Sequence, residues 1–211
     1  MAQAKIKGKF ITFEGPEGSG KSTHAKKIFD HLTKLGYDCV LTREPGGTFV
    51  GEKIREILLN PENKNISLLT ETFLFETARS QIVQEVIRPA LAKGKIVLCD
   101  RFSDSTISYQ GYAGDVPIKD ILLIDEVATG GVKPDLTILL DVDPQTGLAR
   151  AALEKQKDRM ESRPMSFHKK VRDGYLDLAK KYPERIKVVK VQESVEKTQE
   201  LIKHEVIKVV M

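Results

Sequence analysis

A chain of 211 residues, 40% hydrophobic and 30% charged, is suited to one globular domain with a sizeable core rather than to two. No apolar run approaches a membrane span, and the basic start Met1-Ala2-Gln3-Ala4-Lys5 precedes no stretch long enough for a signal peptide, so a cytoplasmic protein with no membrane partner is expected. The net charge of +4 is too mild to indicate nucleic acid, and the two cysteines, Cys39 and Cys99, sit in strand-like runs without zinc-ligand spacing and read as small buried hydrophobes.

The first strand-like run, Phe10–Glu14, leads directly into Gly15-Pro16-Glu17-Gly18-Ser19-Gly20-Lys21-Ser22, followed by Thr23 and a helical segment from about 22 to 35. This is the phosphate-cradling pattern G-x-x-x-x-G-K-[ST] in the strand–loop–helix setting it requires. The glycines let backbone N–H groups approach phosphate oxygens where a Cβ would obstruct, and the helix start adds unpaired N–H groups and a positive dipole end. Lys21 reaches the β- and γ-phosphates and the Ser22 hydroxyl is placed for Mg²⁺, so nucleoside triphosphate binding is the expected activity.

A second strand over Asp38–Arg43 ends in the turn Thr42-Arg43-Glu44-Pro45-Gly46-Gly47-Thr48, and a helix over 50–59 carries Arg55. The third helix, 68–92, aligns Phe75, Arg79, Ile82 and Val86 on one face, and Pro89 predicts a kink. Such a stripe serves a core as readily as a site, but a cation within it needs a partner, and a ring and a guanidinium one turn apart suit a base. The strand Ile96–Asp100 runs into Asp100-Arg101-Phe102 and then Ser105 to Gly111. Asp100 fits either a metal-holding or a helix-capping carboxylate, and Arg101 a bridge between donor and acceptor phosphates.

Helix over 118–128, strand Leu136–Asp141, helix 145–156, helix 167–181, strand Ile186–Lys190 and helix 194–209 complete the chain. Residues 150–172 hold eight Lys or Arg against three Asp or Glu, a local surplus larger than that of the whole chain. A solvated amphipathic helix face accounts for such a run. The alternation of strands, mostly apolar at successive positions, with helices predicts an α/β sandwich with right-handed crossovers. No repeat or linker divides it, so residues 1–211 read as one domain. In a parallel sheet Glu14, Arg43, Glu44, Asp100 and Arg101 share one edge, where a charged second ligand is expected.

These residues resemble the thymidylate kinase family over essentially the whole chain. The matching pieces are the loop at 15–22, Thr42–Gly47, Phe73–Gln81, Asp100–Phe102, Tyr109-Gln110-Gly111, Pro134-Asp135-Leu136 and Asp158-Arg159-Met160-Glu161. The resemblance implies a three-layer P-loop sandwich with a five-stranded parallel sheet, a homodimer, and transfer of the γ-phosphoryl group of ATP to dTMP with Mg²⁺. By position it implies that Phe75 stacks on thymine, Arg79 donates to its O4, Gln110 and Ser105 make further base contacts, and Tyr109 crowds the sugar 2′ position. It places Glu14 near the 3′ hydroxyl, Arg55 and Arg101 on the acceptor phosphate, and Ser22 and Asp100 at the metal. Where some members carry a basic residue in the phosphate loop, this chain has Glu17, and the resemblance then implies a mobile basic lid at about 150–165, which the local surplus fits, with an arginine of the lid in its stead. Arg150, Lys155, Lys157, Arg159 and Arg163 are available, with Arg159 the first choice as catalytic cation.

Two other readings are weighed. A deoxynucleoside kinase would want a general base near a sugar hydroxyl, and Arg43, Arg55 and Arg101 favour a phosphorylated acceptor instead. A switch or nucleic-acid-dependent ATPase would want an Asn-Lys-x-Asp element or a basic stripe interleaved with aromatics, and the sequence has neither.

Overall fold

The computed structural model describes residues 8–154 and 156–211, with Glu154 by its backbone alone. Lys155 and the basic start of the chain lie outside them. Five strands, β1 (Lys9–Glu14), β2 (Cys39–Arg43), β3 (Ile96–Asp100), β4 (Leu136–Asp141) and β5 (Ile186–Lys190), form one parallel sheet in the order β2-β3-β1-β4-β5. The helices are α1 (Lys21–Lys34), α2 (Phe49–Leu59), α3 (Leu68–Ile82), α4 (Arg88–Ala92), α5 (Ser103–Thr106), α6 (Ile118–Thr129), α7 (Pro144–Glu154), α8 (Met165–Lys181) and α9 (Val195–Val210).

The strands are apolar at successive positions because both faces are covered. On one face Ile11, Phe13, Leu98, Ile138 and Leu140 pack against Ile28 and Leu32 of α1 and Ile202 and Val206 of α9. On the other, Phe10, Val97 and Cys99 meet Ile82, Val83, Ile87 and Phe102, while Leu139 and Ile186 meet Phe167, Val171, Tyr175 and Leu178 of α8 and its neighbours. Each such side chain contributes roughly 1.5–3 kcal/mol on burial. Cys99 is buried and Cys39 half-buried, and both are free thiols. Thr48, Ser67 and Ser194 cap α2, α3 and α9, each hydroxyl accepting from a backbone N–H three residues on.

Two stretches depart from the sequence expectation. The helix expected over 68–92 is not uniform: a π-helical turn over Val83–Ile87 separates α3 from α4. Pro89 lacks an N–H and its ring would collide with the carbonyl one turn back, and the wider turn absorbs both faults just ahead of it. No helix is expected between 100 and 118, yet α5 runs on into a second π-helical turn, Ile107–Tyr112. Ser, Thr, Ile and Gly favour helix poorly there, and burial of Ile107, Tyr109 and Ala113 against α8 decides the outcome. The register sets Phe13 and Arg43 beside Asp100, so the carboxyl ends of β1, β2 and β3 deliver Glu14, Arg43 and Asp100 to one edge.

Candidate active site

A cavity of about 680 Å³ opens along that edge. Its floor is the loop between β1 and α1. Gly18 holds a positive φ of 62°, and a Cβ there would lie 1.9 Å from the Gly147 carbonyl oxygen; one on Gly147 would lie 2.2 Å from that of Glu17. The loop and the first turn of α7 therefore interlock backbone to backbone. Gly147→Ala must push them apart, so KM for ATP should rise about tenfold and stability fall by ~1–3 kcal/mol, with KM for the acceptor nearly unmoved. An unchanged KM for ATP would show the loop to be set independently of α7.

Lys21 turns its ammonium back into the loop, donating to the carbonyl oxygens of Gly15 (3.0 Å) and Pro16 (2.8 Å) and to Ser19 Oγ (3.3 Å). Ser22 Oγ donates to Asp100 Oδ2, while Asp100 Oδ1 is buried without a hydrogen-bond partner. That orphaned oxygen beside a hydroxyl, next to a phosphate cradle, suits a hard divalent cation that draws its remaining ligands from substrate and water. Ser22, Thr23 and Asp100 all line the cavity.

Arg101 is the hub of a hydrogen-bond group in the cavity wall. Its Nη2 donates to Glu17 Oε2 (2.9 Å) and to the Tyr109 hydroxyl (3.1 Å), and Nη1 to Ser105 Oγ and the Tyr175 hydroxyl (both 3.3 Å). The Tyr109 hydroxyl donates to Glu17 Oε1 at 2.6 Å, and the guanidinium lies 5.0 Å from the Tyr109 ring centre. Burial pushes the Glu17 carboxyl up, but Arg101 and Lys21 outweigh it and hold the group down, at about 2. Glu17 thus aligns a cation brought by β3, where a basic loop residue would repel it. Arg55, anchored to the Pro45 carbonyl at 2.9 Å, adds a second guanidinium to the wall, with Phe75, Thr106 and Gln110 further along.

Four candidates are placed differently from the sequence expectation. Glu14 is buried and does not line the cavity: its carboxyl accepts from the Phe102 N–H (2.7 Å), Ser105 Oγ (2.7 Å) and the Tyr175 hydroxyl (2.8 Å), and so is spent on the protein. Burial and the neighbouring Asp104 push it up, to about 7, against lowering by Ser105 and Arg101. Ser105 accordingly belongs to the Glu14–Arg101 group rather than to the base end. Arg79, 1% exposed, lies behind the wall, its guanidinium bound to Glu44 (2.8 Å), Glu76 and Asp125 (3.3 Å) and to Thr106 Oγ1 (3.0 Å). Arg159 is likewise out of the wall, because Glu71 takes its Nη1 at 2.5 Å and the Leu58 carbonyl its Nε at 2.7 Å. Among the described basic residues of 150–165, Arg150 is the one that lines the cavity.

Sequence reasoning gave Glu44 no more than a place at the sheet edge, and it missed Thr106 and the segment after β5 that also lines the cavity. Burial pushes the Glu44 carboxyl up, to about 8, against the pull of Arg79, and its Oε1 has no partner although the residue reaches the cavity wall. His24, Gln192, Glu193, Val195 and Thr198 line the same cavity as Arg150 and Leu153. The segment after β5 carries no motif, so only the fold could place it.

The thymidylate kinase family model matches residues 13–202, nearly the length of the chain. The chain belongs to the thymidylate kinase family. It is 47% identical to the thymidylate kinase of Symbiobacterium thermophilum over 194 residues, covering 92% of this chain and 90% of that one. It is 48% identical to that of an Exiguobacterium species over 191 residues, 90% of each. The crystal structure of thymidylate kinase from Ehrlichia chaffeensis superimposes with a TM-score of 0.78 at 34% identity, over 95% of this chain and 98% of the other. The family is one of ATP-dependent kinases, and the parallel sheet and phosphate loop here are those of a thymidylate kinase. Among the described residues no helix is long and apolar enough to cross a membrane.

Proposed function

We propose that the chain transfers the γ-phosphoryl group of ATP to dTMP, giving dTDP and ADP, in the cytoplasm as a step of nucleotide supply. The observation that carries this is one cavity lined both by a complete triphosphate loop and by Arg101, bonded to Glu17 of that loop, with Arg55, Phe75, Thr106 and Gln110. The acceptor phosphate oxygen is already anionic near neutral pH, so no base is needed. What must be managed is repulsion between two polyanions and charge on the transferring group. Lys21 and the loop amides hold the donor, Arg101 and Arg55 the acceptor, and Arg150 rather than Arg159 supplies the lid cation. Ser22 and Asp100 would hold Mg²⁺, which when bound neutralises charge on the donor phosphates. Phe75 offers a ring to the base and Tyr109, pinned by Glu17 and Arg101, a rigid wall to the sugar.

A homodimer is supported by the apolar side chains that α2, α3 and α6 leave in solvent where they pack side by side: Phe49, Phe73, Leu123 and Val127, the last 83% exposed. A protomer mass in solution at micromolar concentration would dismiss it. The deciding assay supplies ATP and Mg²⁺ with each deoxynucleoside monophosphate and with thymidine. dTMP should be the preferred acceptor, and preference for thymidine or for a purine monophosphate would overturn the assignment.

A further inference from the structure

Gln110 and Glu71 are each 1% exposed, and they meet: Gln110 Nε2 donates to Glu71 Oε1 at 2.9 Å. The other Glu71 oxygen is taken by Arg159 Nη1 at 2.5 Å, with Arg163 Nη2 at 3.5 Å. One carboxylate on α3 thus binds a side chain of the cavity wall on one oxygen and two arginines of the lid segment on the other. Both of its oxygens thus face donors, and a carboxylate so paired only accepts hydrogen bonds. The amide of Gln110 therefore cannot turn round, since its oxygen would then face a buried oxygen with no proton between them. One N–H of its NH₂ is taken by Glu71, and Oε1 is the acceptor left to the amide for a ligand in the cavity it lines.

We propose that Glu71, ion-paired with Arg159, is a specificity-positioning residue: it fixes Gln110 as a hydrogen-bond acceptor and so selects pyrimidines that carry a proton on N3. This rests on dTMP being the acceptor and deepens that reading. Thymine presents N3–H between two carbonyls, which an amide oxygen accepts. Cytosine presents a bare N3 at the same place, and two lone pairs would meet with no proton between them. Nothing in the scheme requires Arg159 to touch a phosphate, which agrees with its place outside the cavity wall.

The test measures kcat/KM for dTMP and dCMP, with ATP, in the parent, Glu71→Gln, Gln110→Ala and the double variant. A glutamine at 71 can accept or donate, so the Gln110 amide is released to either orientation. The dTMP-to-dCMP preference should drop about tenfold or more, through KM for dTMP more than through kcat. In the Gln110→Ala background the same substitution should leave the preference where Gln110→Ala put it. If Gln110→Ala abolishes the preference and Glu71→Gln does not, Glu71 does not orient the amide; if Gln110→Ala leaves the preference intact, the amide does not read the base. Either result overturns the proposal while leaving dTMP as substrate, whereas a parent enzyme that prefers another nucleotide fails at the earlier step. Should Glu71→Gln not fold, exchange of the Gln110 side-chain amide protons in the parent decides: protection supports the pairing, and exchange at the rate of an exposed glutamine overturns it.

Discussion

Lys21→Ala should lower kcat/KM for ATP about a thousandfold while leaving the unliganded protein no less stable than the parent. Both halves follow from how the ammonium is held. It is 7% exposed and donates only to two carbonyls and a hydroxyl of its own loop. Burial, with repulsion from Arg101, pushes it down from 10.5 to about 8, and Glu17, Asp100 and Glu14 offset only part of that. The charged form is therefore costly in the empty fold. Between pH 8 and 10.5 the folded state binds fewer protons than the unfolded one, so stability contributed at this position rises with pH across that window. A triphosphate reverses the balance by replacing dipoles with full negative charge. ATP binding near pH 8.5 should then take up a proton, seen as a binding enthalpy that changes with buffer ionisation heat. Above that pH the affinity should fall, with a limiting slope of about tenfold per unit. Lys21→Ala should abolish the buffer dependence together with the turnover. A parent enzyme with no proton uptake would mean the ammonium is already fully charged in the empty site.

How much of this was legible depends on where each residue finds its partner. The phosphate loop could be read because its chemistry needs consecutive residues in a fixed order. The strand ends could be read because a parallel sheet sends them all to one edge. Tyr109 and Gln110 carried no signal of their own beyond a family likeness, since the π-helical turn that presents them breaks the periodicity by which helices are recognised. A cation in an apolar stripe needs a partner, which points Arg79 at a ligand, and the family likeness asks the lid for a cation, which points to Arg159; the partners are acids elsewhere in the chain, Glu44 and Asp125 for one and Glu71 for the other. The same holds for Glu14, whose hydroxyl donors come from Ser105 on α5 and Tyr175 on α8. Chemistry identified these as residues that must pair. Only the fold could say whether protein or ligand provides the pair.

Arg101→Ala should cost turnover about a thousandfold or more, and three variants together separate the side chain from the backbone that carries it. Arg101 sits at a φ of 70°, a left-handed conformation that a side chain rarely adopts, while its N–H donates to the Phe13 carbonyl at 2.9 Å. The strain aims a guanidinium back across the sheet edge, where Glu17, Tyr109, Ser105 and Tyr175 spread its donors. Arg101→Gly should lose as much rate as Arg101→Ala but be more stable by ~0.5–1 kcal/mol, because glycine occupies that φ without steric cost. Arg101→Lys keeps the charge and loses the fork, so it should recover less than a tenth of the parental rate. It also leaves Glu17 with a point charge where two oriented donors stood. Burial then weighs more heavily on that carboxyl, and the acid limb of the pH–rate profile should move upward. A lysine variant with parental turnover and an unmoved profile would show that charge alone, not the orientation imposed by Glu17 and Tyr109, is what the phosphates require.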